Sequence, residues 1–218
     1  GLGNVKTMMD AKMKGMVMAA MSALCLVLGI MGAMGSTWLV PEEEMEGMDM
    51  GTSLTASWTE MDMADMGASS QDDCEMAADS MAEEMGAEAE CDGTVLTMTM
   101  AFSDVCDETD DEEACDMATG GMIGTIGMWA GVICALLITL TMVLPMAGVD
   151  AMDAVPENVT QIATWAAGAL MLVGMLGWYM MLPDGGEMTL GMSGWMAGAA
   201  MSMGLGSALI GQFIEADE

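Results

Sequence analysis

Two methionine triplets are the first residues whose type and spacing suggest chemistry. Met45, Met48 and Met50 form an MxxMxM run, and Met61, Met63 and Met66 form MxMxxM. Thioethers at such intervals suit a soft ion such as Cu(I). A dedicated site would concentrate methionine locally. Residues 41–120 hold 12 of the 34 methionines and the other 138 residues hold 22, densities of about 15% and 16%. Methionine therefore reads as a general apolar residue throughout, and no metal ligand is assigned.

The acidic run Asp107–Asp116 (DETDDEEACD) offers the carboxylate oxygens that Ca²⁺ prefers, without the central glycine or alternating ligands of an EF-hand loop. It reads as solvated charge, with weak binding of divalent cations as its alternative role. Histidine is absent, so there is no Ser–His or Cys–His pair and no imidazole ligand. Glycine-rich runs occur without a P-loop lysine. A thiol oxidoreductase needs a reactive thiolate in an electropositive setting; here a CxxC pair is lacking and the surroundings are acidic. The expectation is no catalytic residue, no cofactor and no enzyme activity.

Charge and apolarity are segregated along the chain. Lys and Arg total 3 against 34 Asp and Glu, a formal charge of −31, yet 54% of residues are hydrophobic. The basic residues are Lys6, Lys12 and Lys14, and 25 of the 34 acids lie between Pro41 and Gly120. Such a chain lacks the cations that nucleic-acid binding requires. Acid-rich, lysine-poor surfaces suit concentrated salt, where screening is short-ranged, so a salt-adapted source is inferred.

Four long runs contain no Asp, Glu, Lys, Arg or His: Met16–Val40, Gly120–Met146, Val159–Leu182 and Met188–Ile214. Each exceeds the roughly 20 residues needed to cross about 30 Å of hydrocarbon. The lipid bilayer is thus the expected environment, and the fold class is an α-helical membrane protein with a four-helix transmembrane bundle. Basic residues mark cytoplasmic flanks, so residues 1–15 are placed inside, 41–119 outside, 147–158 inside, 183–187 outside and 215–218 inside. The spans are 16–40, 120–146, 159–182 and 188–214, in a multi-pass protein of the cell membrane. The first run is read as a retained span, being too long for a cleaved signal. Asn158-Val159-Thr160 is a glycosylation sequon on the inner side and is expected to be unused.

Small residues recur within the spans at packing intervals: Gly194, Gly198, Ser202 and Gly206 in the fourth, Gly120, Gly124, Gly127 and Gly131 in the second, Gly29, Gly32 and Gly35 in the first. Such spacing lets helix backbones approach closely. Contact within one bundle is the first expectation, and contact with another protomer the second. Intramembrane ionisable groups mark ion and proton paths, and the absence of Asp, Glu, Lys, Arg and His from the spans argues against a pump or a proton-coupled transporter. Cys25 and Cys134 fall within spans as small apolar fillers.

The acidic outer segment carries signs of a small β-containing domain. Thr94–Phe102 alternates, with Leu96, Met98, Met100 and Phe102 toward one face. Ser53–Thr59 is a weaker strand candidate, and Met61–Glu90 is partly helical in character. Cys74, Cys91, Cys106 and Cys115 are even in number, which outside the membrane implies disulfides. Four cysteines allow three pairings. The sequential one, Cys74–Cys91 with Cys106–Cys115, is preferred because it closes two local loops.

Four spans, a large first outer loop with a strand pattern and disulfide, and a short second loop together resemble the claudin and peripheral myelin protein group of tetraspans. Trp38 in GSTWLV matches the tryptophan that follows span one in that family. Cys106 and Cys115 match its cysteine pair, which sits on neighbouring strands. The family's Gly-Leu-Trp is absent, with Ala101-Phe102-Ser103 nearby. The resemblance implies a scaffold: lateral assembly, cell-surface contact, barrier formation, or an auxiliary subunit of a membrane complex. Self-association or other membrane proteins are the partners expected. The alternative is an accessory protein that binds or transports a metal ion, copper or calcium.

Overall fold

The computed structural model describes residues 9–42, 47–109, 111–146, 148, 156–183, 188–214 and 216–217. Met45 of the first methionine triplet and Asp110 of the acidic run lie outside them, as do most of 147–158 and residues 184–187. In chain order the elements are β1 (Met9–Asp10), α1 (Ala11–Met34), β2 (Leu39–Pro41), β3 (Met48–Thr52), β4 (Ala56–Asp62) and α2 (Gln71–Met85). There follow β5 (Glu88–Asp92), β6 (Val95–Ala101), α3 (Phe102–Thr109), α4 (Glu112–Met146), α5 (Glu157–Met180), β7 (Met188–Leu190), α6 (Met192–Phe213) and β8 (Ala216–Asp217). Two compact units emerge: Met34–Thr125 with Leu176–Trp195, and the remaining segments Gly1–Ala33, Ile126–Met175 and Met196–Glu218.

Three helices are long and apolar enough to cross a membrane, within α1, α4 and α5. The 22-residue α6 is uncharged, but five glycines and three serines dilute its hydropathy, and it is not among them. Helix boundaries differ from the apolar runs. Helix α1 ends at Met34, because Trp38 already donates its backbone N–H to Thr52 O (2.6 Å) in the sheet. Helix α4 starts at Glu112, with Glu112 and Glu113 in a first turn that favours acids. Helix α6 starts at Met192, since Met188–Leu190 is a strand.

In the helical unit, glycines sit where backbones meet. A Cβ on Gly127 of α4 would lie 2.5 Å from Gly174 Cα of α5, and one on Gly168 of α5 would lie 3.0 Å from Gly204 C of α6. A Cβ on Gly32 of α1 would stand 3.0 Å from Ala197 N of α6. Ser22 and Ser207, both buried, bond to each other (3.2 Å), which satisfies hydroxyls that burial would otherwise penalise. Lys14 donates to the carbonyls of Gly211 and Ile214, capping the open C-terminal end of α6. Leu24, Val27, Ile126, Ile133, Ile162, Val173 and Leu209 are exposed. That outward apolar surface suits hydrocarbon as its solvent.

The second unit contains a six-stranded antiparallel sheet in the order β5-β6-β4-β3-β2-β7. The alternating segment read from Thr94 forms β6, with Leu96 and Met98 buried; Phe102 opens α3 instead of continuing the strand. The Ser53–Thr59 candidate lies partly in β4, which starts at Ala56. Ser53–Thr55 instead make a turn in which Ser53 Oγ accepts from Ala56 N–H (3.0 Å). The helical part of Met61–Glu90 is α2, N-capped by Ser70 and ended by Gly86 at φ +63°. Strands β5 and β6 join through a two-residue turn that needs Gly93 at φ +65°. Helix α2 covers one face of the sheet, with Cys74, Ala78, Met63, Leu96 and Met98 forming a local core.

Candidate functional site

Strand register sorts the sheet into two unlike faces, because directly paired residues point the same way. One face is acidic. Asp49 of β3 stands opposite Glu60 of β4, Glu60 opposite Thr97 of β6, and Thr97 opposite Glu90 of β5. Asp62, Glu88 and Asp92 share this face, and all six carboxylates are exposed. The chain has no basic residue beyond Lys14 to neutralise them.

The other face is apolar. Its β4–β6–β5 half packs under α2. On its other half Thr52 of β3 pairs with Leu39 of β2, and Leu39 with Leu190 of β7. This cross-strand row floors a cleft of about 660 Å³. Trp178, Tyr179 and Met180 of α5, with Leu182 and Pro183, make one wall, and Phe102 and Met117 contribute another. Among the described residues, Thr52 Oγ1 is the buried side-chain polar atom without a hydrogen-bond partner, in a residue only 6% exposed.

The floor and wall are held from behind. Trp38 is wholly buried, donates its N–H to Thr52 O and accepts at its carbonyl from Gly191 N–H (2.8 Å). Thr37 and Ser193 bond through their hydroxyls (3.1 Å). Gly124 lies against Leu54 and Trp178, where a Cβ would come within 3.0 Å of the Leu54 side chain. Gly120 and Gly121 leave room in the same way for Met181 and for the Leu54 backbone.

Both disulfides are present in sequential pairing, Cys74–Cys91 and Cys106–Cys115. The first ties α2 to the edge strand β5. The second joins α3 to α4, so this pair sits on two helices and not on neighbouring strands. The reason is local: Phe102 starts a helix at the end of β6, and the segment from Glu112 is already α4. Among the glycine positions singled out in the sequence, Gly124, Gly127 and Gly131 face neighbouring helices or the Leu54 turn. Gly194 faces Leu190 and Trp38 O, and Gly206 faces Met21. Nothing stands within 4 Å of where a Cβ on Gly198 would be, and Ser202 is exposed with its hydroxyl on Gly198 O (2.8 Å). The tight side of α6 is instead that of Ala197, Gly204 and Ser207, a face displaced around the helix from the one the four-residue spacing marks.

The described methionines of the two triplets have unlike surroundings. Met63 is buried in the domain core and Met66 is exposed, while Met48 faces Met61 across β3 and β4. No three acidic or cysteine side chains gather to hold an ion among the described residues. Two exposed carboxylates are held below their ordinary range by local donors. Asp62 accepts from Ala64 N–H (2.9 Å) and is further lowered by the Thr94 side chain. Asp73 accepts from the N–H and hydroxyl of Ser69 (3.0 and 2.8 Å), with Ser70 adding to the effect. Sequence reasoning missed Thr52, Leu39 and Leu190, because each lies in a strand of three to five residues, too short for alternation to register. Comparison with protein-family models, curated proteins and solved structures finds no match for this chain.

Proposed function

We propose that this is a non-enzymatic four-span membrane protein, similar in architecture to the claudin and peripheral myelin proteins, whose sheet domain makes protein contacts outside the membrane. In this reading α6 crosses the bilayer together with α1, α4 and α5, both termini are cytoplasmic, and the acidic domain lies at the cell surface. Its role is membrane assembly, cell-surface contact, barrier formation or service as an auxiliary subunit. The observation that carries the reading is the make-up of the sheet. Five strands come from the long connection between α1 and α4, and the sixth, β7, comes from the short connection between α5 and α6 and pairs with β2. Two disulfides brace the same domain. Rigid presentation of a surface is what such construction favours, and the absence of histidine leaves little for acid–base chemistry.

The test is the native mass of the protein extracted from its own membranes in mild detergent, with crosslinked neighbours identified. Homo-oligomers or a fixed set of partners are expected. A lone monomer without reproducible crosslinks would overturn the assembly role.

A further inference from the structure

The cleft over the Thr52–Leu39–Leu190 row has the features of a binding site, and they are independent of any contact the acidic face makes. A buried hydroxyl normally has a partner, because leaving it unmet forfeits the hydrogen bonds it had in water. Thr52 Oγ1 has none, and its side chain lies on the sheet face that floors the cleft. Among the described residues the remaining lining is aliphatic, thioether and aromatic, with the Tyr179 phenol the one ionisable group. A ligand that brought a full charge would find no counter-charge among these described residues and would lose its hydration. At about 660 Å³ the cleft is within the size range of sites for small organic ligands.

The walls indicate where such a ligand comes from. Trp178, Tyr179 and Met180 end α5, a helix long and apolar enough to span a bilayer. Tyr179 and Met180 are 66% and 79% exposed, so the wall is open and apolar on its outer side. Entry from hydrocarbon removes no charge and little polar surface from water. We propose that the cleft holds a neutral lipid, its single hydroxyl or carbonyl bonded to Thr52 Oγ1 and its apolar chain lying against Leu39, Leu190 and Trp178. The proposal does not rest on the assembly role.

The experiment uses the full chain in lipid nanodiscs and three photoactivatable probes that share one sixteen-carbon diazirine chain, ending in a hydroxyl, a methyl or a carboxylate. Labelled peptides are mapped by mass spectrometry in the wild type, in Thr52→Val, which keeps the shape and removes the hydroxyl, and in Thr52→Ser, which keeps the hydroxyl. Unfolding midpoints check that each variant folds. The alcohol is expected to label the Leu39 and Trp178–Pro183 peptides of the wild type and Thr52→Ser. Labelling should fall about five- to tenfold in Thr52→Val, the size of one hydrogen bond. The methyl-ended probe should label wild type and Thr52→Val alike, and the carboxylate should label this region least. Equal alcohol labelling in the wild type and Thr52→Val would overturn the proposal. So would alcohol labelling confined to other helix surfaces, or carboxylate labelling that matches the alcohol. A second variant, Met188→Trp, places a bulky ring at the cleft edge and should reduce labelling by the alcohol and methyl probes together.

Discussion

The indole of Trp38 meets that of Trp178 edge-on, with ring centroids 4.9 Å apart and planes at 67°. Trp38 follows α1 and Trp178 lies near the end of α5, so this contact joins segments 140 positions apart within the sheet-bearing unit. Both rings are buried. Trp178→Ala should cost about 3–5 kcal/mol, the usual result of emptying a large aromatic site. A double-mutant cycle with Trp38→Leu and Trp178→Leu should return a coupling of about 0.5–1.5 kcal/mol beyond burial. Reversible denaturant unfolding in one detergent would measure both, and strictly additive effects would show that the edge-on geometry contributes nothing.

Glycine positions that sound alike in sequence should respond differently. Gly127→Ala drives a methyl into the Gly174 backbone, which has no rotamer with which to yield, and should cost about 1–3 kcal/mol. Gly198→Ala meets open space in mid-helix and should stabilise by about 0.5–1 kcal/mol. Thermal midpoints of the two variants, taken in the same micelle, should therefore move in opposite directions. Movement in the same direction would refute the packing described for these two helices.

Across β3 and β4, Asp49 stands directly opposite Glu60, and like charges in that position repel. The domain should therefore gain stability between about 0.1 and 1 M NaCl, as the Debye length falls from about 10 to 3 Å. Glu60→Lys replaces repulsion by attraction on the same row and should flatten that dependence. Circular dichroism melts across a salt series provide the measurement. A Glu60→Lys protein with the wild-type salt slope would mean that the sheet row plays no part in it.

Two lowered carboxylates make part of the domain's stability depend on pH. Asp62 and Asp73 have folded pKa values below their unfolded ones, so the folded state favours their charged forms. Their contribution is present above the unfolded value, near 3.9, and is lost as pH falls through the lower folded values. Asp73→Ala should melt earlier than the wild type at pH 7, and the gap should close as the pH is taken below about 4. A gap that stays constant down to pH 2 would show that the Ser69 and Ser70 donors do not act on the charged carboxylate.

The sequence by itself determined the long apolar helices, the concentration of charge between Pro41 and Gly120, and the strand through Leu96 and Met98. Each is a periodic or compositional signal extending over many residues. The preferred cysteine pairing was also legible, since sequential closure brings together residues 17 and 9 positions apart. Tertiary structure alone decided the rest. Strands β2, β3 and β7 are too short to announce themselves, and each exists through its partner's hydrogen bonds rather than its own pattern. Which glycines matter depends on the rotation of each helix against its neighbour, so Gly198 is open while Gly204 meets Gly168. The Thr52–Leu39–Leu190 row is assembled from three separated segments, and an unpartnered hydroxyl becomes visible only once its surroundings are in place.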